Sequence, residues 1–387
     1  MDSLQWLDGA LADLDARGLR RTLAERQSPQ RGNEIVIDGR RLVNFGSNDY
    51  LGLAADERLA AAARGAIEKY GWGSGASPLI TGRSELHAEL ERKLAEFVGT
   101  EAALVFPSGY AANVGTITAL AGKDDAIFSD ELNHASIIDG CRLSGAAVNI
   151  YRRPEPMNDL ERLLKQGSKF RRRLIVTDSL FSMHGSPALL IQLAKLTADY
   201  DCMLLVDEAH ATGVLGENGR GLVELLGAEQ GVHVHVGTLS KALGSQGGFV
   251  AGQRRLIDWL SNRARPYFFS TAGPAASTAA ALAALEIIRL EPDRRQRLRE
   301  LSILLHDRLV KQEFPVVGGF QIQAVILKEP ERVVAAAGAL RERGFFVPGI
   351  RPPSVPEGES LLRISLTCLH TEEQIERLVE ALAVVAK

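Results

Sequence analysis

Seven short apolar runs limit what this chain can fold into more than any other feature. They are "AALVF" (102–106), "DAIFS" (125–129), "AVNIY" (147–151), "RLIVTDS" (173–179), "MLLVDEA" (203–209), "VHVHVGT" (232–238) and "GGFVAG" (247–252). Each closes on a small or polar cluster and gives way to a helical pattern such as "YAANVGTITALAG" or "ALLIQLAKLTADYD". Continuous apolar runs of this length read as strands buried on both faces. Their alternation with helices predicts a doubly wound α/β domain with a mostly parallel seven-stranded central sheet, whose chemistry lies at the carboxyl ends of the strands.

The flanks read differently. A helix is expected over residues 4–26, then a hairpin, "NEIVIDGRRLVNF", turned at Asp38-Gly39. After a helix at 274–290 the pattern becomes α+β. Helices near 294–312 and 330–343 alternate with the short strands "FQIQAVIL", "FFVPGI" and "LLRISLT", and a helix closes the chain. The expected organisation is an N-terminal arm (1–48), a large domain (49–273) and a small C-terminal domain (274–387).

Composition excludes several function classes. A net charge of −3 over 387 residues gives no footprint for nucleic acid. The one basic run, "KFRRR" (169–173), reads as a solvated helix end. Three scattered cysteines (Cys141, Cys202, Cys368), with no CxxC, indicate neither a disulfide framework nor a zinc cluster. The acidic N-terminal segment is not a signal peptide. The Ala/Leu-rich stretch around 270–293 is interrupted by Gly273 and Pro274 and ends in charges, so it reads as a packed helix. No membrane partner and a cytoplasmic location are therefore expected.

Five residue clusters fall at the predicted carboxyl edge. Asp207 ends "MLLVD" with His210 three residues on, and a carboxylate behind four apolar residues needs a cation or donor partner. A capping aspartate would serve there equally well. "DEAH" is not a helicase box, since no GxxxxGK[ST] loop precedes it. Ser108, Gly109 and Tyr110 open a helix whose free N–H groups suit a phosphate. His134 follows the second strand, and Asp178 and Ser182 follow the fourth. Lys241 stands in "GTLSKALGSQGG" (237–248), among small residues that leave space around an amine. Singly each has a bland structural explanation. Jointly, an aspartate for a pyridinium nitrogen, a ring to stack, a phosphate cup and a lysine for an imine make a pyridoxal 5'-phosphate (PLP) site. A competing metal-hydrolase reading would use His134, His184, Asp207 and His210, but no HExxH or paired helical spacing exists.

These motifs resemble the α-oxoamine synthases, fold-type I PLP enzymes that condense an amino acid with an acyl thioester and release CO₂. "NFGSNDYLGL", "GSGASPLITG", "SGYAAN", "NHASIIDG", "VDEAHATGVLGENGRG", "GTLSKALGSQGG" and "IRPPSVPEG" carry the likeness across nearly the whole chain. "SNDYLGL" and "IRPPSVP" point to the biotin-pathway member, which joins L-alanine to a pimeloyl thioester carried on coenzyme A or acyl carrier protein. Pairings of glycine with acetyl or of serine with a long acyl group are the alternatives. Ser77 stands where glycine-using relatives carry threonine.

The resemblance implies the following roles. Lys241 binds the cofactor aldehyde and later acts as base. Asp207 pairs with the pyridine nitrogen, and His134 stacks on the ring. Ser182 and His210 contact the phenolic oxygen. Ser108, Gly109, Tyr110, Thr238 and Ser240 hold the phosphate, with Thr271 contributed from the second subunit of a homodimer. Arg351 binds the amino-acid carboxylate, Asn48 lies by it, and Arg20 or Arg21 meets the far end of the acyl chain. No metal is implied. The chain departs from the family pattern at His184 and Ser186, where acidic residues are usual, at Pro78, and at Asp178, usually a glutamate.

Overall fold

The computed structural model describes residues 2–21 and 23–386, leaving Thr22, within the expected first helix, outside the described residues. It comprises two compact units, one of residues 53–182 and 187–295, the other of 1–52, 183–186 and 296–387.

The first unit is built on a seven-stranded sheet. Its strands, in spatial order, are Ala102–Phe106, Gly248–Gly252, Val234–Thr238, Met203–Asp207, Arg173–Asp178, Ala126–Asp130 and Ala147–Tyr151. All neighbours pair in parallel except Gly248–Gly252, which is antiparallel to both of its neighbours. The sheet is mostly parallel, as the apolar runs predict. The exception follows from the connection before it. A tight turn returns the chain, with Gly244 N–H donating to the Lys241 carbonyl at 2.9 Å and Gly244 and Gly247 at φ +62° and +127°. A parallel strand would need a long crossover instead.

Val, Ile and Leu side chains of these strands are buried, among them Leu104, Ile127, Val176, Leu205, Val236 and Val250. On one face they pack against Ile117, Ile137, Ile257 and Leu260 from the helices Gly109–Leu120, Ala135–Ser144 and Arg254–Arg263. Each such side chain contributes about 1.5–3 kcal/mol on leaving water. The basic run is not merely solvated. Arg171 and Arg172 both donate to Asp125, at 3.1 and 2.8 Å, beneath the first residue of a strand. Burial opposes ionisation of Asp125, but the two guanidinium groups hold its carboxyl below the usual range.

The second unit joins the two ends of the chain. Glu34–Ile37 and Arg40–Asn44 form the expected hairpin, with Asp38 and Gly39 both at positive φ, as a type I′ turn requires. Phe345–Phe346 adds to it in parallel. A four-stranded antiparallel sheet runs Val316–Gly318, Ile322–Lys328, Ser360–Ser365, Gly349–Ile350. "FFVPGI" thus supplies strands to two sheets, because Pro348 interrupts any single ladder. Thr371 and Gln374 cap the closing helix, Glu372–Val385, reciprocally.

The first helix is shorter than expected. It spans Trp6–Ala16, not residues 4–26. Gly18 takes φ +62°, its N–H donates to the Asp15 carbonyl, and Leu19 N–H reaches back to Leu14. This paired closure ends a helix at a glycine, and the chain beyond is irregular. No helix among the described residues is long and apolar enough to cross a membrane.

Candidate active site

Parallel strands in register bring their terminal residues to one edge. Asp178 and Asp207 are paired neighbours on adjacent strands, and Thr238 ends the next strand over. The antiparallel strand begins at the same edge, with Gly248 opposite both Phe106 and Thr238. A Cβ at Gly248 would stand 2.5 Å from Gly109 N and Ser108 C, so only glycine lets the 106–109 turn cross there.

Ser108 caps the Gly109–Leu120 helix, accepting from Ala111 N–H at 3.1 Å. Gly109 and Tyr110, the first two helical residues, have N–H groups with no place in the helix's own ladder. Thr238 Oγ1 lies 3.6 Å from a Cβ built on Gly109, and is bonded to Ser240 Oγ at 2.8 Å and to the Gly247 carbonyl at 2.9 Å. Helix amides and two hydroxyls side by side form the donor set of a phosphate cup. The Tyr110 side chain, half exposed, bonds through its hydroxyl to Asp139.

Asp207 is buried, and each of its oxygens accepts one hydrogen bond. Its Oδ1 accepts from Ala209 N–H at 2.8 Å, and its Oδ2 from Asn113 Nδ2 at 2.6 Å. The second Asn113 hydrogen goes to Ser136 Oγ at 2.9 Å, and Ser136 lies 2.7 Å from His134 Nδ1. Ser136 N–H also points at that nitrogen, so Nδ1 is an acceptor and the neutral ring carries its proton on Nε2. Burial lowers the His134 pKa, with Lys241 adding to the effect and Asp207 opposing it. His134 is both the N-cap of the Ala135–Ser144 helix and the end of a chain of contacts from Asp207.

Lys241 Nζ stands 2.8 Å from His210 Nε2. Ser182 and His210 are both buried. The shorter Asp178 side chain accepts from the His134 main-chain N–H at 2.7 Å. Burial, and then the neighbouring Asp207, push the Asp178 carboxyl well above the carboxylate range. Ser77 is half-buried at the start of the single π-turn Pro78–Gly82, and Thr271 is exposed. Ser108, Gly109, Tyr110, His134, Asp207, His210, Thr238, Ser240 and Lys241 thus lie on the strand ends, turns and helix starts at one sheet edge.

The other unit holds the remaining expected residues. Arg20 is bound to Asp15 at 2.6 Å, whereas Arg21 reaches the 352–354 turn, 3.4 Å from Ser354 Oγ. Arg351 donates to the Arg20 carbonyl at 2.9 Å. Asn48 Oδ1 accepts from Tyr50 O–H at 3.0 Å and Arg363 Nη2 at 3.2 Å. His184 sits on the segment shared with this unit, its Nε2 3.9 Å from Glu359 Oε2. Among the described residues, no group of three or more His, Cys, Asp or Glu is placed to hold a metal ion.

Sequence reasoning missed Asn113, Ser136 and Arg363. Asn113 lies in the quoted "SGYAAN", one turn beyond the helix start, which is the available signal. Arg363 interrupts the apolar "LLRISLT" and is buried, and an arginine in such a strand needs a partner.

The aminotransferase class I and II family profile matches residues 40–382. An 8-amino-7-oxononanoate synthase of Anaeromyxobacter dehalogenans is 51% identical over 99% of this chain and 96% of that protein. The chain belongs to the α-oxoamine synthase branch of this family. Serine palmitoyltransferase of Sphingomonas wittichii shares 34% identity with it over 100% of this chain and 98% of its own, at a TM-score of 0.94. A further solved structure, described as SPT with a PLP internal aldimine, is 32% identical over 100% of this chain and 98% of its own, at a TM-score of 0.93. For an α-oxoamine synthase, the donor set at the sheet edge fits PLP. A buried carboxylate such as Asp207 suits a protonated ring nitrogen, the amide and hydroxyl cup suits a phosphate, and Lys241 is an amine of the kind the aldehyde requires.

Proposed function

We propose that this protein condenses L-alanine with a pimeloyl thioester to give 8-amino-7-oxononanoate, CO₂ and the free thiol, a step of biotin biosynthesis. The observation that carries this reading is the Lys241–His210 contact on the sheet edge that also holds Asp207. Identity of 51% with a synthase of that name, against 34% with a serine palmitoyltransferase, supports alanine over serine as the amino acid.

Bound at this edge, PLP supplies an electron sink for negative charge at the carbon beside the amino group. The residues around it do the rest. Lys241 would hold the cofactor aldehyde through Nζ, and its amine, when free, would be the base that takes the proton from the α-carbon of alanine. Asp207 would keep a proton on the ring nitrogen, and the Asn113 contact fixes its carboxylate. His134 presents its ring face, and Ser182 and His210 serve the phenolic oxygen. Ser108, Gly109, Tyr110, Thr238 and Ser240 bind the phosphate.

In the other unit, Arg351 is the proposed ligand of the alanine carboxylate, a role its planar guanidinium suits. The buried Arg363, bonded to Asn48, is a second candidate. Arg21 is preferred over Arg20 for the far carboxylate of the acyl group, because Arg20 is committed to Asp15. The smaller Ser77 leaves room for a methyl group. The acyl carrier is coenzyme A or acyl carrier protein, and the location is cytoplasmic.

A homodimer completes the proposal, with Thr271 serving the partner's phosphate. The large apolar side chains of Trp72, Leu79, Ile80 and Phe269 are exposed, which suits contact with a second copy. The test is reduction of purified, PLP-loaded protein with borohydride, followed by peptide mass spectrometry. The cofactor mass is expected on Lys241, and a mass on another lysine, or on none, would contradict the reading.

A further inference from the structure

Glu208 follows Asp207 in the chain, is buried, and has no role in the site as described. Its carboxylate nonetheless accepts three hydrogen bonds. Oε2 accepts from Ser179 O–H at 2.6 Å and Leu222 N–H at 3.0 Å, and Oε1 accepts from Val223 N–H at 2.7 Å. Ser179 directly follows the strand that ends in Asp178, and Leu222 and Val223 begin the short helix Leu222–Leu226. Gly221 makes the insertion possible. It takes φ +130°, and a Cβ there would lie 2.6 Å from the Glu208 carboxyl carbon.

The main chain of the same residue anchors the turn that carries His210. Glu208 N–H donates to the Val236 carbonyl at 2.7 Å. Its own carbonyl accepts from Ala211 N–H at 2.8 Å, Thr212 N–H at 2.7 Å and Thr212 Oγ1 at 2.8 Å. His210 is enclosed between these bonds, and its Nε2 meets Lys241. One side chain therefore ties the end of a neighbouring strand and the returning 213–223 loop to the turn that presents His210. Satisfied buried networks of this kind hold their members rigidly, and one lost acceptor leaves buried donors unpaired.

We propose that Glu208 is a positioning residue, whose clamp on Ser179, Leu222 and Val223 holds His210 in contact with Lys241. What the contact serves rests on the function proposed above. The test uses PLP-loaded protein and two substitutions at opposite ends of the clamp. Glu208→Gln keeps the size but sets an amide against the N–H donors, and Ser179→Ala removes one donor and leaves the carboxylate. The measurements are the pH midpoint of the visible absorbance of Lys241-bound cofactor, kcat and KM for alanine, and thermal unfolding. Glu208→Gln is expected to move the midpoint by ~0.5 unit or more and lower kcat by about tenfold. KM should stay within about twofold, and Ser179→Ala should act in the same direction, less strongly. An unchanged midpoint and kcat beside a lowered unfolding temperature would overturn the proposal, leaving Glu208 only a clamp on the fold. Should Glu208→Gln fail to fold, Ser179→Ala decides by the same readout. Wild-type protein with no visible band would instead refute the proposed function.

Discussion

Lys241 Nζ and His210 Nε2 face one another at 2.8 Å, joining the turn after one strand to the turn after its neighbour. Adjacent strands set this pair. His210→Ala is expected to lower kcat/KM by roughly tenfold or more, the worth of one hydrogen bond to a charged group. Cofactor attachment at Lys241 should persist. Steady-state kinetics with borohydride trapping separates the two effects.

The Asp207–Asn113–Ser136–His134 chain makes a second prediction. Asn113→Ala removes a 2.6 Å charge-assisted bond and leaves Asp207 Oδ2 unpaired in the interior. A loss of about 1.5–3 kcal/mol is expected, read as roughly tenfold or greater weakening of cofactor affinity. Absorbance titration of the apo-protein with PLP measures it.

How much of this was legible beforehand depends on what each residue does to a local pattern. The strands were readable because Val, Ile and Leu fill them without interruption, and the edge follows from their parallel order. Asn113 was hidden because a polar residue inside a helix looks like surface, and nothing local shows that it faces Asp207. The first helix was overextended across Gly18, although a glycine beside "LDAR" is a stop signal. The antiparallel turn of Gly248–Gly252 could not be read from composition, since strand direction depends on the connection's path.

Glu208 carries a pH signature. Burial raises its carboxyl to about 7, with Ser179 and the helix N–H groups opposing and Asp207 adding to the rise. A carboxyl raised in the folded state binds protons more readily there than when unfolded. Its favourable contribution is thus complete below the ordinary value of 4.5 and is lost as pH rises through about 7. Across that window it amounts to on the order of 3 kcal/mol. Denaturant titrations from pH 4.5 to 8 should show a shallower decline in Glu208→Gln than in the wild type, whatever the absolute stabilities.

Arg20 and Arg21 are adjacent yet differently committed. Arg20 spends its charge on an exposed pair with Asp15, worth 0–1 kcal/mol by the usual measure of such pairs. Arg21 points to the 352–354 turn. Arg21→Ala is expected to raise KM for the acyl thioester by about tenfold, and Arg20→Ala by no more than about twofold. Initial rates at varied thioester and saturating alanine distinguish them.

The central claim is the pairing of substrates, and mass spectrometry of the product tests it most directly. Purified protein is given PLP and one acyl thioester at a time, with L-alanine, glycine or L-serine. The expected product is 8-amino-7-oxononanoate from alanine and pimeloyl thioester, with one CO₂ released per thiol. Turnover confined to serine with a long acyl group, or to glycine with acetyl, would contradict it.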